Sequence, residues 1–168
     1  MNLLYGVLLF IAVQRIIELI YANANTKRAL ANGGVEVAPA QHNWLIGLHA
    51  AWLVALFFFI PSHTEPNLPL LALFLLLQIA RIWTIASLGR FWTTRIITFS
   101  DAPLVRRGPY RWFRHPNYTI VTLEVAVLPL AFGAWQIALL FTILNGIALF
   151  IRIRVEERAL EPRRGLRM

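Results

Sequence analysis

Residues 116–152 read PNYTIVTLEVAVLPLAFGAWQIALLFTILNGIALFIR, an apolar stretch with a glycine near its middle and an arginine at its end. A helical crossing of the roughly 30 Å hydrocarbon layer takes about 20 residues. The stretch therefore reads as two apolar helices, over 117–132 and 134–153, with Ala131-Phe132-Gly133 supplying the turn between them. Pro116 suits the first turn of the leading helix, because its missing N–H would be unpaired there in any case. Such a hairpin returns its two polar flanks to one side: Arg107-Gly108-Pro109-Tyr110-Arg111-Trp112-Phe113-Arg114-His115 before it, and Arg152 to Leu160 after it.

The rest of the 168-residue chain has the same character. Apolar residues make up 58%, charged residues 14%, and the mean hydropathy is +0.62, beyond what a soluble domain of this size can hide. Further apolar runs at 2–21, 43–61 and 67–89 bring the expected number of crossings to five. The expected fold class is all-α: a polytopic membrane protein forming one membrane-embedded unit over 1–168, with a functional core at about 88–161. The net charge of +8 is laid out by topology. Lys27 and Arg28 follow the first run, Arg90, Arg95, Arg106, Arg107, Arg111 and Arg114 separate the third from the fourth, and Arg152, Arg154, Arg158, Arg163, Arg164 and Arg167 end the chain. The opposite loops, around Ser62–Pro66 and Phe132–Ala134, carry neither lysine nor arginine. By the positive-inside rule the N-terminus lies outside and the C-terminus inside, with both polar flanks on the cytoplasmic face. Charge arranged this way gives no ground for a nucleic-acid partner.

The first run resembles a signal peptide only in Ala22-Asn23-Ala24, since no positive charge precedes it and Arg15 with Glu18 interrupts it; it is expected to stay as an anchor. Without cysteine there are no disulfides and no thiolate chemistry, and the four histidines have no zinc-like spacing, so no metal is expected. The stretches 22–43 and 90–116 read as the main segments outside the apolar runs.

Ionisable groups within the runs cost roughly 2.5 to 3.5 kcal/mol each on insertion scales, so each needs a partner or a wet cavity. Arg15 and Glu18 stand at i,i+3 beside Gln14, as do Gln78 and Arg81; His49 lies in the second run and Glu124 in the fourth. Two readings stand. These groups pair to lower the cost of insertion, with Glu124 facing Arg15 or Arg81, or they line an active cavity. Near the hairpin flanks, Arg114, His115 and the N–H groups at the start of a helix form a seat for an anion. Trp112, Phe113, Arg106 and Arg107 read instead as an interfacial belt with snorkelling arginines. Arg152 with Glu156 at i,i+4, and Arg154 with Glu157 at i,i+3, are either surface ion pairs or a face for a ligand bearing an amino acid group.

These elements together resemble the isoprenylcysteine carboxyl methyltransferase family of integral membrane enzymes. The match is carried by Gly108 and Tyr110, by Arg114-His115-Pro116-Asn117-Tyr118, and by Arg152…Glu156-Glu157…Leu160. Upstream, Gln14-Arg15…Glu18-Leu19, Gly33-Gly34-Val35-Glu36 and His49…Trp52 look like the short bacterial branch, some of whose members methylate alkylpyrones. The resemblance implies S-adenosyl-L-methionine as cofactor, held by Leu104, Val105, Gly108, Tyr110, Arg114, His115, Pro116, Tyr118, Glu156 and Glu157. It implies Arg152 and Glu156 as catalytic residues, and Arg15, Glu18, His49 and Arg81 on the acceptor side. The implied activity is O-methylation of an acidic hydroxyl or carboxylate on a lipophilic molecule that enters from the bilayer of a bacterial inner membrane, with the cofactor site facing the cytoplasm. Many relatives carry a histidine where this chain has Ala102, and the short segment after Leu160 argues against a prenylated protein as acceptor. The alternatives are a phospholipid amine N-methyltransferase and, from another class, a small transporter or channel built on Arg15, Glu18, Arg81 and Glu124.

Overall fold

The computed structural model describes residues 2–99 and 104–165, with side chains through Arg163; Ala102 and Arg167 lie outside the described residues. The chain runs α1 (Leu3–Ala31), β1 (Val35–Val37), α2 (Ala40–Phe59), α3 (Leu68–Leu88), a 3-10 turn (Gly89–Phe91), β2 (Ile96–Thr98), a second 3-10 turn (Gly108–Arg111), α4 (Pro116–Ala131), α5 (Trp135–Leu160) and a closing 3-10 turn (Glu161–Gly165). Four helical stretches, Leu3–Ala31, Ala40–Phe59, Leu68–Phe91 and Trp135–Arg163, are long and apolar enough to cross a membrane. The expected fifth, α4, has 16 residues. It spans about 24 Å at the α-helical rise, short of the hydrocarbon layer.

Its position explains how a short helix is accommodated. α4 packs against both α3 and α5, and its buried residues, among them Pro116, Val121, Glu124, Val125 and Pro129, spread over more than half of the helix's circumference, with Leu123 and Leu130 left facing outward. The outer helices bury one stripe each. On α1 the stripe is Leu4, Leu8 and Ile11, then Arg15 and Glu18, then Ala22 and Asn25, the alternating spacing of three and four that keeps one face inward. Ile16, Ile17 and Ile20 face outward. The helix is thus apolar on the outside and polar within, as expected where the solvent is lipid.

That inward polarity joins the bundle. Arg15 of α1 pairs with Glu18 at 3.0 Å and with Glu124 of α4 at 2.5 Å; Arg81 of α3 pairs with Glu18 at 2.7 Å and Glu124 at 3.5 Å. Gln78 donates to Glu124 at 3.0 Å and Gln14 to Glu18 at 3.1 Å. Two positive and two negative side chains therefore close on each other among three helices. Around them Phe74, Trp52, Leu56 and Leu128 fill the apolar core.

The fold is mostly helical, as expected, and carries two features the sequence did not announce. β1 and β2 form a short antiparallel ribbon with Val35 opposite Thr98 and Val37 opposite Ile96. The 22–43 segment is not a loop throughout: α1 continues to Ala31, since Asn, Thr, Lys and Arg end the apolarity without ending the helix. Gly33-Gly34 ends it, with the Gly34 N–H donating to Ala29 O at 2.9 Å. The hairpin turn falls where expected, with Gly133 at φ 72°, a left-handed conformation that glycine adopts without penalty.

The polar segments gather at one end of the bundle. Asn25 of α1 donates to the Gly89 and Trp92 carbonyls at 3.1 and 2.9 Å, and Thr98 of β2 donates to Ala159 O of α5 at 3.0 Å. Arg95 and Glu36 pair across the ribbon at 2.9 Å. Arg107 donates to Ser87 O at 2.7 Å, which seats Gly108 directly on the end of α3. Gly108 has φ 56°, and a Cβ there would fall 2.0 Å from Ser87 Oγ.

Gly108→Ala is therefore expected to lower the thermal midpoint in detergent, by an overpacking cost of about 1–3 kcal/mol plus the strain of a positive φ. Gly47→Ala and Gly146→Ala, inside α2 and α5 where the added methyl meets nothing, are expected not to lower it and to raise it slightly, alanine being the better helix former. Glu124→Ala is expected to cost about 3–5 kcal/mol by stranding buried arginines, and Glu124→Gln less. Thermal unfolding followed by tryptophan fluorescence checks both, and a wild-type midpoint for Glu124→Ala would contradict the role given to the charge cluster.

Candidate functional site

A cavity of about 740 Å³ runs between the gathered polar end and the intramembrane charge cluster. Its outer end is built where α4 begins and α5 finishes. His115 is the N-cap of α4 and Pro116 its first residue, where the proline's missing N–H would have no helical partner in any case. One turn on, the Tyr118 hydroxyl donates to Glu156 and accepts from Arg152 Nε at 2.8 Å. Arg152 and Glu156, one turn apart on α5, are thus linked through a tyrosine on α4. The Arg152 guanidinium also donates to Thr94 O at 2.7 Å and sits over the Tyr118 ring. Beside them His115 Nε2 lies 3.2 Å from Glu157, and the His115 and Tyr118 rings stack with centroids 5.4 Å apart. Arg114 reaches Glu157 at 3.5 Å from an exposed position, where such a contact holds little energy.

Tyr110, on the 3-10 turn after Arg107, also lines the cavity. Burial raises the pKa of its hydroxyl, the Glu156 carboxylate raises it further, and Arg81 acts in the opposite direction. The phenol therefore stays protonated at neutral pH. At the inner end the wall is formed by Arg15 and Glu18 of α1, His49 of α2 and Arg81 of α3. Arg81 is fully engaged: Nε and Nη2 on Glu18 at 2.8 and 2.7 Å, and Nη1 on Asn117 Oδ1 at 3.3 Å. Apolar side chains of α1 and α2, among them Ile16, Leu19, Ile46 and Leu53, complete the wall on the side facing lipid.

The cavity thus brings Leu104, Val105, Tyr110, Arg114, His115, Tyr118, Arg152, Glu156 and Glu157 together with Arg15, Glu18, His49 and Arg81. Gly108 and Pro116 do not line it; they shape the turns that present Tyr110 and Tyr118. Glu124 lies behind the wall, paired with Arg15 and Arg81. Arg154 stacks over Phe150.

Three lining residues escaped the sequence reading. Asn117 accepts from Arg81, and the sequence offered only its place within the His-Pro-Asn-Tyr element. Thr94 contributes a carbonyl, which no side-chain pattern announces. His42 is buried on α2 near Thr94 and Arg152. It stands seven residues before His49, two turns along the same face, and that spacing was a usable signal.

The donor set fits S-adenosylmethionine. Glu156 and Glu157 offer acceptors for an ammonium, while Arg114 and the first N–H groups of α4 offer donors for a carboxylate.

The sequence model of the isoprenylcysteine carboxyl methyltransferase family matches residues 70–162, from α3 to the end of α5, and so takes in both polar flanks of the hairpin. An uncharacterised protein of Bacillus subtilis (strain 168), YpbQ, is 34% identical over 153 residues, covering 89% of this chain and 91% of the relative. With the matched segment spanning more than half of its length, and with the motif residues gathered around one membrane-side cavity, the chain belongs to the isoprenylcysteine carboxyl methyltransferase family of membrane methyltransferases.

Proposed function

We propose that this protein transfers the methyl group of S-adenosylmethionine to an oxygen atom of a lipophilic acceptor. The observation that carries the reading is the single cavity that joins the Tyr118–Glu156–Arg152 cluster to an apolar wall between α1 and α2. The proposed orientation has five crossings, with α4 completing the count inside a sheath of longer helices. The N-terminus lies outside, and the polar end faces the cytoplasm of a bacterial inner membrane. The clustering of Arg90, Arg95, Arg106, Arg107, Arg111 and Arg114 at that end supports it.

When bound, S-adenosylmethionine supplies an electrophilic sulfonium methyl. Glu156 and Glu157 hold its ammonium, and Arg114 with the α4 N-terminus holds its carboxylate. Tyr118 fixes Glu156 and Arg152 relative to each other, so the cofactor end and the reaction end keep one geometry. Arg152 orients the acceptor oxygen and stabilises its negative charge, a role open to it because Arg81 is committed to Glu18 and Asn117. The apolar wall excludes water, and alignment of the two reactants supplies most of the acceleration. The charge cluster that could have suggested an ion path is closed on itself, Arg15 and Arg81 against Glu18 and Glu124.

Arg152→Ala is expected to lower transfer by about 100-fold or more, as removal of a preorganised donor does, and to leave cofactor affinity within several-fold. Detergent-purified protein, labelled cofactor and a panel of long-chain phenols, pyrones and farnesylated cysteine provide the assay. Wild-type turnover by Arg152→Ala would overturn the assignment, and transfer to amines alone would overturn O-methylation.

A further inference from the structure

His49 lines the cavity from α2, ahead of the family match that begins at residue 70. Its Nδ1 is 2.8 Å from the Leu45 carbonyl oxygen, four residues back on the same helix. A carbonyl oxygen can only accept, so Nδ1 carries the proton in that contact, and in the neutral ring Nε2 is left with its lone pair. The ring lines the main cavity, and the side chain cannot turn over without losing the Leu45 bond.

The charged groups that bear on it are Arg15 and Glu18 from α1 and Arg81 from α3; Tyr118 and Arg152, from α4 and α5, line the same cavity. Glu18, the other base on this wall, has both oxygens occupied. Oε1 accepts from Gln14 and Arg81, and Oε2 from Arg15 and Arg81. With Glu124, these two acids balance the two arginines. The inner end is therefore a charge-balanced lining with one oriented imidazole, better suited to a neutral hydroxyl than to a second carboxylate.

We infer that His49 is the general base of the transfer, and that the acceptor is a weakly acidic hydroxyl, a phenol or enol on an apolar chain, which reaches the cavity in its neutral form. The inference rests on the methyl transfer proposed above. The acceptor's O–H bond breaks, with its proton passing to His49 Nε2. The oxygen electron pair forms the bond to the methyl carbon as the carbon–sulfur bond breaks, and the electrons of that bond remain on sulfur, turning the sulfonium into a neutral thioether. The imidazolium then returns its proton to water at the outer end.

The test uses H49Q, whose amide can still donate to Leu45 O, with a long-chain alkylphenol and its ring-nitrated counterpart, which is ionised in water. On the alkylphenol, kcat is expected to fall by about 100-fold or more, within the range of general base catalysis, with KM little changed. On the nitrated phenol it is expected to stay within several-fold of wild type, and calorimetric affinity for S-adenosylmethionine is expected to be unchanged. A second readout needs no turnover. With S-adenosylhomocysteine present and the pH below the nitrophenol's own pKa, the wild type should bind it as the coloured anion and H49Q as the colourless acid. Equal loss on both acceptors, no loss on either, or the same colour in both proteins would overturn the inference. A wild-type protein that methylates carboxylates alone would overturn it too while leaving the methyltransferase reading intact, and failure to bind S-adenosylmethionine would instead fall on that reading.

Discussion

Four charged side chains closed on one another among apolar helices are the constraint from which the rest of the molecule follows. Arg15, Glu18, Arg81 and Glu124 each carry a cost in lipid, and none meets it alone. Satisfied together, they fix α1 against α3 and α4, and in doing so they set one wall of the cavity. A cavity beside a bilayer needs a polar boundary that does not collapse, and this cluster is one. It is also neutral in sum, so it neither draws ions through the bundle nor leaves a spare cation to seize an anionic ligand.

At the other end the organising group is a single phenol. Tyr118 stands between an acid and a base of α5 and holds both in place from α4, which the hairpin turn at Gly133 has returned to meet them. The ribbon of β1 and β2 and the Gly108 turn close the remaining sides, through Thr98 to α5 and through Arg107 to α3. Tyr110 lines the same cavity as both clusters. In the proposed transfer this enclosure is where a water-soluble cofactor and a lipid-soluble acceptor would meet.

Much of this was legible in the chain, and the exceptions share a cause. Pro116 and Gly133 mark the ends of α4 because their backbones permit little else, and apolar runs reveal helices wherever lipid is the solvent. The end of α1 was misplaced because apolarity and helicity are different properties, and residues 22–31 have only the second. The ribbon is three residues against three, paired across some sixty residues of chain, and neither strand has a pattern long enough to read. That Arg15, Arg81 and Glu124 needed partners was clear from their cost, whereas the network they form depends on helix rotation, which a uniformly apolar surface does not encode. Tyr118 could be assigned to the site by resemblance; its place between Arg152 and Glu156 required the structure.

The proposed transfer requires the cofactor end to be a real seat for S-adenosylmethionine. Calorimetric titration of that cofactor into the detergent-purified protein, beside an Arg114→Ala variant, tests this most directly. Saturable one-to-one binding that weakens in the variant is the predicted result. No heat of binding at millimolar cofactor, in protein that still unfolds cooperatively, would contradict it.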